Sequence, residues 1–365
     1  MRKYTVVYVI NNLKMGGAES IVRDLSYFLK KKKWRVIIVT LFNNHDSINL
    51  NKDLEIYNLN FSKNLNSIIK AIKKFNFLIK NVNPELVHAH LFYSIIFTRL
   101  YRLFFKINIL IATLHSSIES HNLIYFFLRI TNFIGDLLTT VSTLAAKSLE
   151  NKFVAKRNSI FVIPNGIDTN KFKPEENNLT KYQLDCLSFI TIGRLTKYKN
   201  HQNLILAFSR LIKKFPNATL SIIGDGEEKS VLYSLISQLN LNNNIFLIGL
   251  SSNVSSYLKN ANFYIHASLW EGFGLVLAEA MSSELVVIST NFDVAYEIIE
   301  NCGIYTNGFT AEDLYESLYF ACCLPISNRV ELGKNARIRI INNFDISNMY
   351  LKYEMLYLRL LKNKI

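Results

Sequence analysis

Short runs of β-branched residues alternate with helix-length stretches along most of this chain, and that alternation restricts its fold more than any other feature. The runs YTVVYVI (4–10), WRVIIVT (34–40), LVHAH (86–90), ILIATLH (109–115) and LLTTVS (137–142) are separated by segments long enough for helices, such as 17–31 and 65–80. Strands spaced in this way pair in parallel, because a parallel connection must cross back over the sheet, usually as a helix. A turn-rich stretch over 162–185, with Pro164, Asn165-Gly166 and Pro174, interrupts the pattern. It then restarts with LSFITIG (187–193), TLSIIG (219–224), NIFLIG (244–249), NFYIHAS (262–268) and LVVIST (285–290). The expected class is therefore α/β, with two doubly wound, Rossmann-like domains facing each other across a cleft. The expected boundaries are a first domain over 1–167, a linker over 168–186 and a second domain over 187–345. A helix over 346–365 closes the chain and is expected to pack back toward the first domain.

Length and composition agree with two globular domains: 365 residues, 50% hydrophobic and 19% charged, are too apolar for a disordered chain. The most apolar stretch, 91–114, is broken by Arg99, Arg102 and Lys106, so it fails the test of about 18 uninterrupted apolar residues for a membrane span. The N-terminus leads from two basic residues straight into a strand-like run, unlike a signal peptide, and no export is expected. Cys186, Cys302, Cys322 and Cys323 lack C-x-x-C spacing and read as small buried residues in a reducing cytoplasm.

The charge is uneven. Residues 1–170 hold 23 Lys+Arg against 10 Asp+Glu, whereas 171–365 hold 19 against 18. A basic half suits nucleic acid or an anionic membrane surface. No helix-turn-helix, zinc-finger or RNP-like pattern accompanies it, so nucleic acid is not expected as a partner. Within it, 65–80 places Leu65, Ile68, Ile69, Ile72 and Ile79 on one helical face, with Lys70, Lys73, Lys74 and Lys80 mostly opposite. An ordinary core-packed helix and a membrane-facing one both fit that pattern, and the same two readings stand for the aromatic segment HNLIYFFLRITNFI (121–134).

In open α/β sheets, ligands bind beyond the carboxyl ends of the strands, so loops after strands are where a site belongs. Gly16 and Gly17 follow the first strand and permit close backbone approach at a helix start, although the G-x-G-x-x-G dinucleotide pattern is absent. Arg194 and Lys199 follow the first strand of the second domain, where two cations can converge on a diphosphate. IIGDGEEK (222–229) and LIGLSS (247–252) supply further glycine loops. In EGFGLVLAEA (271–280) a helix is expected to start near Gly274, with Glu271 before it and Glu279 in its second turn. Paired hydroxyls of a ribose or sugar suit such carboxylates, and the helix start between them suits phosphate.

The ordered set GGAE (16–19), VHAH (87–90), LHS (114–116), VS (141–142), VIPNGID (162–168), GRLTKYKN (193–200), IIGDGEEK (222–229) and EGFGLVLAEAM (271–281) resembles glycosyltransferase family 4 along nearly the whole chain. That resemblance implies the GT-B fold, a nucleotide-sugar donor held mainly by the second domain, retention of anomeric configuration, and neither a metal nor another cofactor. It implies that Arg194 and Lys199 neutralise the donor diphosphate and stabilise the departing nucleoside diphosphate. Glu271 would contact donor-sugar hydroxyls with the backbone of Phe273, Gly274 and Leu275, and Glu279 would hold the ribose diol. Gly16 and Gly17 would approach from the opposite domain, and His115 would face the donor sugar near the reacting centre. His88 and His90 are taken to alternate along their strand, so that only one faces the cleft; His90, nearer the strand end, is the one assigned to the acceptor side.

Two segments depart from the family pattern. Asn291, Phe292 and Asp293 stand where relatives carry small residues, and Glu284-Leu285 stands where a Gly-x-Pro turn is common. The basic first domain, together with the two amphipathic or aromatic segments 65–80 and 121–134, favours an acceptor at an anionic membrane: a lipid-linked or growing surface glycan, built in O-antigen, capsule or lipopolysaccharide synthesis, with the enzyme peripheral on the cytoplasmic face of the inner membrane. A hexose or N-acetylhexosamine donor is expected, with UDP preferred. A nucleotide-sugar epimerase, a soluble sucrose- or starch-type synthase, and a non-catalytic scaffold subunit are the rival uses of the same fold.

Overall fold

The computed structural model describes residues 4–14, 16–42, 53–62, 64–115, 122–175 and 187–363. Ser116, His121, Cys186 and the part of the expected linker from 176 to 186 lie outside them. The chain divides into two compact units, Met1–Asn165 with Asn348–Ile365, and Gly166–Ser347.

The first unit is built on strands β1 (Thr5–Ile10), β2 (Arg35–Thr40), β3 (Glu55–Asn58), β4 (Leu86–His90), β5 (Ile109–Leu114), β6 (Leu137–Thr140) and β7 (Phe161–Val162). They pair in parallel in the order β3-β2-β1-β4-β5-β6-β7. Helices α1 (Gly17–Lys31), α2 (Leu65–Val82), α3 (Phe92–Phe104), α4 (Asn122–Thr131) and α5 (Thr143–Asn151) make the crossovers. Helix α1 buries Ala18, Ile21, Val22, Leu25 and Leu29, the three- and four-residue spacing of a single face. Burying each leucine stabilises the unit by roughly 1.5–3 kcal/mol.

Helix α2 packs inward with only part of the face its sequence suggests, Ile72 and Ile79, and rotates toward Ala71, Phe75 and Leu78. Ala71, Phe75, Leu78 and Ile79 are buried, whereas Leu65 and Ile69 point to solvent. Aliphatic residues surround this helix, and the larger Phe75, seated against Phe97 and Tyr101, decides which side packs.

The second unit is built on β8 (Ser188–Ile192), β9 (Thr219–Ile223), β10 (Ile245–Gly249), β11 (Phe263–His266), β12 (Val286–Ser289) and β13 (Ile304–Tyr305), all parallel, in the order β10-β9-β8-β11-β12-β13. Its helices are α6 (His201–Ile212), α7 (Lys229–Gln238), α8 (Val254–Asn260), α9 (Leu275–Ser282), α10 (Asp293–Ile299), α11 (Ala311–Cys323) and α12 (Ile326–Phe344). A capping box between Thr310 and Asp313 starts α11. Arg337 on α12 donates to the carbonyls of Thr169, Phe172 and Ser282, tying residues 169–172 to this unit. Glu284 occupies the left-handed region at φ 60 in the turn where a glycine is common. The cysteines correct the expectation of uniform burial: Cys322 is buried, Cys302 half-buried and Cys323 exposed, and all three are free.

The last helix, α13 (Ile346–Lys362), belongs to the first unit from Asn348 onward. Its Tyr357 hydroxyl lies 2.7 Å from His88 Nδ1 and 3.1 Å from the Tyr8 hydroxyl, and His88 Nε2 lies 2.6 Å from Thr113 Oγ1. Every one of these groups is buried, so each hydrogen bond spares its partners a desolvation penalty. Tyr357→Phe leaves the His88 imidazole short of a partner and is expected to destabilise the fold by about 1–3 kcal/mol. A thermal unfolding midpoint equal to that of the wild type would contradict this attachment.

Candidate functional site

Both sheets reverse their strand order once, and those reversals place the candidate residues. In the second unit the order turns between β8 and β11, so the segments leaving these two neighbouring strands part at the carboxyl edge, where open α/β sheets bind ligands. Arg194 and Lys199 follow β8, while Glu271, Gly274 and Glu279 follow β11.

The loop after β8 is held by backbone contacts with the loop after β9. Gly193 N–H donates to the Ile223 carbonyl (2.9 Å), Leu195 N–H to the Asp225 carbonyl (3.0 Å) and Glu228 N–H to the Leu195 carbonyl (3.0 Å). Gly224, at φ 149, lies so close that a Cβ there would stand 1.9 Å from the Gly193 carbonyl oxygen. This close approach fixes the loop on which Arg194 stands exposed and Lys199 partly buried.

Lys199 reaches across to form a salt bridge with Glu271. Burial pushes the Glu271 carboxyl up, but Lys199, His266 and the Gly272 backbone outweigh it and hold the group below the usual glutamate value. Beneath the pair, Tyr264 hydroxyl lies 3.2 Å from His266 Nδ1, and His266 Nε2 lies 3.6 Å from Glu271. Burial, reinforced by Lys199, drives the His266 imidazole down to about 3, so it meets Glu271 as a neutral group near pH 7. Phe292 packs its ring 5.1 Å from this imidazole, so one of the unusual residues of the 289–299 segment covers the same histidine. Tyr264 and His266 escape a reading by motif because they sit in a strand-like run. Their signal is polarity at positions two apart on a fully buried strand, which share a face.

Helix α9 starts at Leu275, with Gly274 preceding it at φ 83, in the left-handed region that glycine enters freely. Its first N–H groups lack partners within the helix and therefore suit an anion. The Phe273 side chain is buried, with its ring 5.9 Å from Phe344, which leaves its backbone as the part available to a ligand. Glu279, one turn further, is partly buried, and desolvation pushes its carboxyl up to about 8 against the pull of Lys171.

In the first unit the order turns between β1 and β4. Gly16 and Gly17 start α1 beyond β1, His90 ends β4, and His115 directly follows β5. His90 Nδ1 lies 2.9 Å from His115 Nε2, so one of the two nitrogens donates and the other accepts. Burial brings the His115 imidazole down to about 4 and holds His90 well below the usual histidine value, so both are neutral near pH 7. The expectation that His88 and His90 face opposite ways is corrected. Residues two apart on a strand share a face, and these two rings lie 4.0 Å apart.

Comparison with known proteins follows this geometry. The model described as Glycosyltransferase Family 4 matches residues 15–171, and that described as Glycosyl transferases group 1 matches residues 174–339. An Escherichia coli UDP-Gal:alpha-D-GlcNAc-diphosphoundecaprenol alpha-1,3-galactosyltransferase is 26% identical over 328 residues, covering 84% of this chain and 82% of the relative. The Staphylococcus aureus capsular polysaccharide biosynthesis glycosyltransferase CapM is 30% identical over 258 residues, covering 65% and 66%. Among solved structures, a glycosyltransferase from Rickettsia africae superposes with a TM-score of 0.84 over 100% of both chains at 22% identity, which speaks for the fold. The two models together span most of the chain, and the doubly wound units carry the family's motifs at the carboxyl edges of their sheets. The chain belongs to glycosyltransferase family 4 and is a glycosyltransferase of the GT-B fold, with relatives in the synthesis of bacterial surface glycans.

Proposed function

We propose that the protein transfers a hexose or N-acetylhexosamine from a UDP-sugar, with retention of configuration, to a lipid-linked or growing surface glycan in O-antigen, capsule or lipopolysaccharide synthesis. The observation that carries this reading is the convergence of Arg194, Lys199, Glu271, the start of α9 and Glu279 on the strand-order reversal of the second unit. The E. coli relative, whose name specifies UDP-Gal and a diphosphoundecaprenol-linked acceptor, supports this donor and acceptor class.

In this reading Arg194 and Lys199 neutralise the diphosphate, together with the N–H groups of Gly274 and Leu275. Glu271 accepts from donor-sugar hydroxyls beside the Phe273 backbone, and Glu279 holds the ribose diol. A neutral Glu279 carboxyl suits that role, because it offers a donor as well as an acceptor. Without donor, the Lys199–Glu271 salt bridge keeps both charged groups oriented; with donor, the phosphate takes over the ammonium and the sugar takes over the carboxylate. The bond from the anomeric carbon to the phosphate oxygen breaks, the acceptor oxygen bonds to that carbon, and the acceptor proton passes to the departing phosphate. No protein nucleophile and no metal or other cofactor take part. His115 and His90, hydrogen-bonded to each other, and Gly16 and Gly17 are the first unit's candidates for contact with the donor sugar, the acceptor and the diphosphate. The basic excess of residues 1–170 draws the enzyme to the anionic cytoplasmic face of the inner membrane.

Lys199→Ala and Glu271→Ala are each expected to lower transfer by roughly 100-fold or more while circular dichroism shows a folded chain. Full activity in either variant removes the site assignment. A second expectation concerns pH. The Glu279 carboxyl rises from 4.5 to about 8 on folding, so the folded chain holds this proton more tightly than the unfolded one. Its contribution to stability is therefore complete below pH 4.5, declines as pH rises through about 8, and then levels off. Glu279→Gln removes that decline, so the wild type should lose stability relative to this variant between pH 5 and pH 8.5; parallel pH profiles would contradict the raised value.

A further inference from the structure

The imidazole of His266 has a bonding pattern that a purely structural histidine does not need. It is 3% exposed at the end of β11, and its Nδ1 lies 3.2 Å from the Tyr264 hydroxyl. Its Nε2 makes no hydrogen bond, although leaving a buried polar atom in that state costs about 1–3 kcal/mol. That nitrogen stands 3.6 Å from Glu271 Oε2, just beyond hydrogen-bond reach. The same oxygen is the one that Lys199 holds. Two donors therefore face a single carboxylate oxygen, and only the lysine is engaged.

The surroundings decide which ring nitrogen carries the proton. Burial, reinforced by Glu271 and Glu279, keeps the Tyr264 proton on its oxygen, so that hydroxyl is available to donate. A bare Nε2 would set its lone pair against a carboxylate, whereas an Nε2–H is attracted to it. The arrangement that satisfies both has Tyr264 donating to Nδ1 and Nε2–H directed at Glu271. Lys199 and His201 oppose a second proton on the ring, and Phe292 covers it, so the imidazole stays neutral and directional. Its backbone is pinned as well, because the Thr290 N–H and hydroxyl donate to the His266 carbonyl (2.9 and 3.1 Å).

We propose that His266 is a positioning residue for Glu271, whose carboxylate passes from Lys199 to the His266 Nε2–H when a nucleoside diphosphate draws the lysine away. This deepens the donor-site reading above and rests on it. In the free protein Lys199 holds Glu271, whose side chain is only 24% exposed. A diphosphate carries more negative charge than a carboxylate and competes for the ammonium, and a largely buried carboxylate that loses its cation is costly. A movement of about 0.7 Å brings Nε2 and the carboxylate to the ordinary N–H···O length of about 2.9 Å. The exchange gives Nε2 its missing partner at the moment Glu271 loses Lys199, so the carboxylate keeps its place instead of following the cation. Tyr264 acts one step further back, by fixing the tautomer that makes Nε2 a donor.

The test uses the full chain with isotope-labelled histidine, heteronuclear NMR, and UDP as the probe. The His266 ring signals are those missing from His266→Gln. Without UDP the ring is expected to be neutral with its proton on Nε2, and a proton on Nδ1 overturns the proposal. With UDP bound, as read by a raised thermal midpoint, the Nε2 proton is expected to move downfield as it bonds to Glu271. Calorimetry supplies the second readout. Tyr264→Phe with His266→Leu removes both polar groups together and is expected to weaken UDP binding by about ten-fold, whereas His266→Gln, whose amide can donate in place of Nε2–H, stays within about three-fold of the wild type. In a Glu271→Ala background the same changes are expected to have no effect on affinity. Equal losses in the Leu and Gln variants, or a loss that persists without Glu271, make the histidine merely structural and overturn the proposal. A wild type that UDP does not stabilise overturns the donor-site reading together with the exchange, whereas bound UDP with an unmoved Nε2 proton overturns the exchange alone.

Discussion

The reversal of strand order between β8 and β11 is the constraint on which the candidate site depends. Crossovers from β8 to β9 and β10 build the sheet to one side, and the chain returns to place β11 on the other. Two neighbouring strands therefore send their next segments apart, and the carboxyl edge opens between them. At that edge stand a basic loop on one side and, on the other, a glycine-started helix with Glu271 before it and Glu279 within it. Gly224 sets the basic loop at its place by permitting backbone contact that a Cβ would prevent. Position in the site thus follows from topology and side-chain identity supplies the chemistry.

Burial then sorts the titratable groups by charge. His90, His115 and His266 are neutral near pH 7 because the interior penalises the imidazolium, and Glu279 resists ionisation for the same reason. Glu271 keeps its charge because Lys199 pairs with it. The result is a site with few but strongly placed charges: the paired Lys199 and Glu271, with exposed Arg194 on the same basic loop as Lys199.

The central strands were legible because buried parallel strands read as continuous β-branched runs. The edge strands were not. β3 is four residues, EIYN, with only partial burial, and β7 and β13 are two residues each, defined by pairing with Thr139–Thr140 and with Ile288–Ser289. Helix existence was equally plain, yet the inward face of α2 was not, since Ile69, Phe75 and Phe77 ring it with apolar groups and packing alone chooses among them. The loop residues of the site could be read from glycines, cations and carboxylates after strands. Tyr264 and His266 could not be read that way, because their meaning depends on the neighbour that a buried strand presents to Glu271. The aromatic content of α4 was visible in the sequence, whereas the exposure of its outer face emerged only with the packing of Tyr125 and Leu128 inward.

The claim that the carboxyl edge of the second sheet holds a nucleotide-sugar is tested most directly by unfolding the protein in the presence of a panel of nucleoside diphosphate sugars. A ligand that binds only the native state raises the midpoint, by the equivalent of about 2.7 kcal/mol at one hundred times its dissociation constant. The account predicts that a UDP-sugar raises the midpoint of the wild type and that the shift is lost in Glu279→Ala. An unshifted midpoint with every nucleotide-sugar, or an equal shift in that variant, would contradict it.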